Sequence, residues 1–94
     1  MYIFSVNAVA KTALQGFTEG QQVLFIVYIN APKLAGAEKL CTLQLLRAGF
    51  HQVVIEKHKK VAQKALDDSA VVAAHRGLAE ALEKGYSIHI FDED

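Results

Sequence analysis

The chain contains one cysteine, one proline and no tryptophan in 94 residues. A lone thiol, Cys41, excludes both an intramolecular disulfide framework and a CxxC metal or redox pair. One proline and six glycines exclude collagen-like and linker-like chains. Charge of one sign is also missing: ten basic residues balance ten acidic ones, so the global positive field expected of a nucleic-acid binder is absent. The longest uninterrupted apolar run, residues 23–29, is far short of the roughly 18–20 residues needed to span a bilayer. No basic stretch precedes an apolar core near Met1, so no signal peptide is read. With the single thiol, this gives a reduced, cytoplasmic setting away from membranes as the expectation.

Motifs for cofactors are absent too. Gly16, Gly20 and Gly36 form neither GxGxxG nor GxxxxGK[ST], and no cofactor is expected. His51, His58, His75 and His89 include no HxH or HxxxH spacing, so no metal site is read. Hydrophobic residues nevertheless make up 52% of the chain, which excludes a disordered tail and implies one compact domain over residues 1–94.

The hydrophobic pattern predicts the elements. Residues 2–10 alternate, with Tyr2, Phe4, Val6, Ala8 and Ala10 on one side, as in a strand with one buried face. Residues 23–29 are apolar on both faces, the pattern of a strand covered on both sides. A glycine-bearing stretch around Gln15 joins the two as a hairpin. Asn30-Ala31-Pro32 predicts a helix start, with Leu34, Ala37, Leu40, Cys41, Leu45 and Ala48 buried and Leu43 and Leu46 widening the apolar stripe. Gly49 closes that helix and residues 51–58 form a third strand. A second helix is expected within 64–84, either capped by Asp68 or Ser69 or starting earlier with the acidic pair exposed, and buried through Val71, Ala74, Leu78 and Leu82. Gly85 ends it, and residues 86–91 form the fourth strand.

The order β-β-α-β-α-β with short crossovers predicts an α/β class, as an α+β two-layer sandwich. Its sheet would be mixed and four-stranded, with both helices on one face. A ferredoxin-like fold is the alternative and needs a hairpin between residues 51 and 75. The helix-free face is expected to be apolar, and such a face calls for a partner, as in a homodimer, or for a ligand groove.

Charge is unevenly placed. Residues 1–60 carry seven basic and three acidic residues, or +4; residues 61–94 carry three and seven, or −4. Lys57, Lys59 and Lys60 form the basic pole, and Asp92-Glu93-Asp94 the acidic one. The lysines suit a small anionic ligand, and with Tyr28 and Phe91 they are the candidate binding residues. Glu56, His58 and His89 are the one set that could support acid/base chemistry, if adjacent strands bring the imidazoles together beside the carboxylate. Without a catalytic signature, a non-catalytic interaction module with a protein partner or small ligand, such as an inhibitor or regulator, is favoured. The contrasting reading is a small hydrolase or isomerase built on those three residues, and nucleic-acid binding through the lysines ranks last.

Overall fold

A computed structural model describes residues 1–13 and 16–91. Gln15 in the predicted hairpin loop and the acidic pole Asp92-Glu93-Asp94 lie outside the described residues. The chain runs β1 (Tyr2–Ala10), β2 (Gln22–Ile29), α1 (Leu34–Arg47), β3 (Phe50–Lys60), α2 (Gln63–Leu66), α3 (Ser69–Ala74), α4 (Arg76–Lys84) and β4 (Tyr86–Ile90). This is an α+β sandwich in the expected order, with α2, α3 and α4 together filling the place of the second helix.

The sheet order is β3-β1-β2-β4 and every neighbouring pair is antiparallel. That corrects the expected mixed sheet. The β2-α1-β3 crossover does leave β2 and β3 parallel, but β1 lies between them and pairs antiparallel with each. The ferredoxin-like alternative does not form, because β3 is followed by α2 and α3 rather than by a hairpin strand.

The helices also divide between the two faces. Ala37, Cys41 and Leu45 of α1 pack on the face that carries Phe4, Val6, Phe25, Val27 and Ile29. Leu78 and Ala81 of α4 instead join Met1 and Tyr28, and Tyr28 pairs with Ile3 on the other face. The expectation of both helices on one face is therefore corrected. The first crossover runs from β2 toward the β3 edge, and the second returns across the whole sheet to β4. The right-handed crossover rule governs only the first connection, because β3 and β4 are antiparallel, so it leaves the face of the second helical segment open.

Local signals explain most element ends. Gly85 adopts φ +93° at the close of α4 and its N–H donates to the Ala81 carbonyl, 2.8 Å away. α1 begins at Leu34, two residues after Pro32, and has no side-chain cap. The expected burial of α1 holds at Ala37, Cys41 and Leu45, whereas Leu40, Leu43 and Leu46 are exposed. The predicted long second helix is broken twice. Asp68 caps α3 by accepting from Ala70 N–H (3.0 Å) and Val71 N–H (3.4 Å). His75 is extended, at φ −121° and ψ 97°, and divides α3 from α4. That break resets the helical phase, so Gly77, Leu78 and Ala81 are buried in α4 while Leu82 is exposed.

Candidate functional site

The face opposite α1 carries a cleft of about 400 Å³ beneath the second crossover. Its floor comes from Ile3 of β1 and Tyr28 of β2, which are cross-strand partners. Val61 and Ala62 follow β3 and form one wall, Ala65 and Val71 roof the cleft, and Leu78 of α4 closes the far side. Lys59, Lys60 and His75 are its only ionisable lining residues apart from the Tyr28 phenol. The volume falls within the roughly 300–1,000 Å³ typical of small-molecule sites, which combine an apolar lining with a few polar groups.

The sequence places α4 close to this floor through Gly77. A Cβ there would overlap the ring of Tyr28, so only glycine lets the helix reach the sheet at this point. Among the described residues the one salt bridge is Arg76 to Glu80 at 2.7 Å, and the ammonium groups of Lys59 and Lys60 have no carboxylate partner. Lys59 pairs with Ile3 on the cleft face, whereas Lys60 pairs with Tyr2 on the α1 face. An apolar cleft with one unpaired cation at its rim can hold an amphipathic anion, burying its apolar body while the charge stays in water.

Three of the five expected binding residues, Tyr28, Lys59 and Lys60, thus line one cleft. Lys57 lies further along β3 opposite Ser5, and Phe91 is at the other end of the sheet beside Leu24 and Asn7. Ile3, Val71, Gly77 and Leu78 were not among the expected site residues. A glycine interrupting a helical pattern costs about 1 kcal/mol relative to alanine, and Gly77 was the available signal of a close approach.

The acid/base candidates are not brought together. Ser5 faces Lys57 while Val6 faces Ile55, so Glu56 is the extra residue of a β-bulge. Glu56 accepts from Asn7 Nδ2 at 3.1 Å on the cleft face, whereas His58 pairs with Phe4 on the α1 face. The bulge breaks the two-residue alternation on which their shared face depended. His89 sits on β4, across three strand spacings from β3, or about 14 Å.

His89 instead ends a chain that fastens α4 to β4. Ser87 Oγ donates to Glu80 Oε2 at 2.9 Å and lies 2.6 Å from His89 Nε2. The hydrogen bond from Ser87, then that from Arg76, holds the Glu80 carboxyl below its ordinary range. Because Ser87 already donates to Glu80, His89 Nε2 carries the hydrogen in that contact. Ser87 is only 2% exposed, so its hydroxyl is closed to a substrate and acts in packing.

Cys41 is fully buried in α1, and desolvation followed by the nearby Glu38 charge pushes its thiol up to about 12. A thiol so suppressed is not a nucleophile at neutral pH. Among the described residues no cluster of His, Cys, Asp and Glu could hold a metal ion, and no helix is long and apolar enough to cross a membrane. Comparison with protein-family models, curated proteins and solved structures finds no match to this chain.

Proposed function

We propose that the chain is a non-catalytic binding module that works through the sheet face opposite α1 and holds a small amphipathic anion in the cleft there. The carrying observation is the pairing of an apolar enclosure, formed by Ile3, Tyr28, Val71 and Leu78, with the unpaired ammonium group of Lys59, which shares the cleft face with Ile3. Residues from β1, β2, β3, α2, α3 and α4 converge on that enclosure, although they are widely separated in sequence. The separation of His58 from His89 and the Glu56 bulge give no comparable support to a small acid/base enzyme.

Octanoate is a suitable probe because it has an alkyl body and one carboxylate. Burial of five methylenes at about 0.8 kcal/mol each contributes about 4 kcal/mol, the scale of a millimolar Kd. Titration followed by NMR should shift the Tyr28 ring and Leu78 methyl signals with a Kd of about 1 mM or below. Lys59→Ala should weaken octanoate several-fold while leaving octanol unaffected. Absence of any shift at Tyr28 and Leu78 at about ten times that concentration overturns the proposal.

A further inference from the structure

The two edges of the sheet are built differently. The β3 edge carries Lys57, Lys59 and Lys60 and is interrupted by two irregularities, one at Glu56 and one at Gln52, whose φ is +50°. Charges and bulges of this kind keep an edge from pairing with another chain. The β4 edge has neither device. Its residues are Tyr86-Ser-Ile-His-Ile90, and no formal charge other than a titratable histidine interrupts them.

The ladder to β2 fixes which backbone groups remain free. Phe91 N–H donates to the Leu24 carbonyl at 2.9 Å, and Asn30 N–H donates to the Gly85 carbonyl at 2.9 Å. In an antiparallel pair the inward-bonding residues alternate, so Gly85, Ser87, His89 and Phe91 turn toward β2. Tyr86, Ile88 and Ile90 therefore direct their N–H and C=O groups outward, and among the described residues no loop or side chain bonds to them. Their side chains lie on the α1 face, where α1 packs mainly over β3, β1 and β2 and meets β4 beside Tyr86. Ile90 is 56% exposed there and Tyr86 36%.

We propose that the β4 edge is a pairing surface for a second copy of this chain, joining two sheets into one of eight strands about a two-fold axis at Ile88. With Ile88 opposite its own copy, Tyr86 meets Ile90 of the other chain and Ile90 meets Tyr86. All three outward-facing residues then bond across the axis, giving six backbone hydrogen bonds. Apolar side chains meet apolar ones on the α1 face, and Ser87 stands beside His89 of the other copy on the opposite face. An isologous contact of this kind closes on itself and uses both β4 edges.

Light scattering of the whole chain at about 100 µM, where a micromolar dimer is largely assembled, should give twice 10.3 kDa. Ile90→Lys should reduce the mass to that of one chain with an unchanged far-ultraviolet dichroism spectrum, and Tyr86→Lys serves if that variant does not fold. Val54→Lys, on the cleft face, should leave the mass doubled. Amide exchange should show Tyr86, Ile88 and Ile90 protected in the wild type and unprotected in Ile90→Lys. A wild-type mass of one chain, a dimer that survives both lysine variants, or dissolution by Val54→Lys overturns the proposal. None of these substitutions lies in the octanoate cleft, so ligand binding and self-association fail or succeed separately.

Discussion

The ring of Tyr28 occupies the space in which a side chain at Gly77 would begin. A methyl group at position 77 must push α4 away from the sheet or turn the ring, and the ring forms part of the cleft floor. Gly77→Ala should therefore lower stability by about 1–3 kcal/mol, as overpacking does, despite the better helix propensity of alanine. Urea denaturation measures this directly. An unchanged or higher midpoint would show that α4 does not depend on the close approach.

The Glu80–Ser87 contact sets a pH dependence. Glu80 is held below its ordinary value in the folded chain, so its contribution is present above the unfolded value and is lost as pH falls through the lowered folded one. Ser87→Ala should lower Tm at pH 7, and the gap to the wild type should narrow as pH falls from about 4.3 downward. Glu80→Gln should remove most of that pH dependence. A Tm difference that stays constant between neutral and acid pH would contradict the role given to Glu80.

Gln52 is the one non-glycine residue with positive φ among the described residues. The left-handed region costs an ordinary residue about 1–2 kcal/mol, whereas glycine enters it freely but loses about 0.5–1 kcal/mol of chain entropy. Gln52→Gly should be neutral or stabilising by up to about 1 kcal/mol, and Gln52→Val destabilising by more than 1 kcal/mol. Thermal denaturation of the pair checks the sign. If glycine destabilises as much as valine, the irregularity in β3 is not maintained by backbone conformation.

The strands were legible in the sequence because burial leaves a two-residue period: the alternation of Tyr2, Phe4, Val6, Ala8 and Ala10 is the buried set of β1. The two-sided covering of β2 was legible for the same reason, since Val27 faces α1 and Tyr28 faces α4. Which face each helix takes was not legible. It depends on the strand order and on which side the long β3-to-β4 connection crosses, and neither Leu45 nor Leu78 encodes that locally. The bulge at Glu56 was hidden because residues 56–60 are all polar or charged, and a slip of one residue there leaves no hydrophobic trace. Lys59 and Lys60 could be picked out as a charged pair, but their position at an apolar cleft arises only when α3 and α4 fold back over Ile3 and Tyr28.

The strand order β3-β1-β2-β4 also has a consequence for how the sheet is made. A chain synthesised from its N-terminus delivers the two central strands first, and they close locally as a hairpin. Each later strand then finds an existing border to join, β3 on one flank and β4 on the other. Growth from the centre outward never requires a strand to be inserted between two already paired ones. The last border to be laid down is β4.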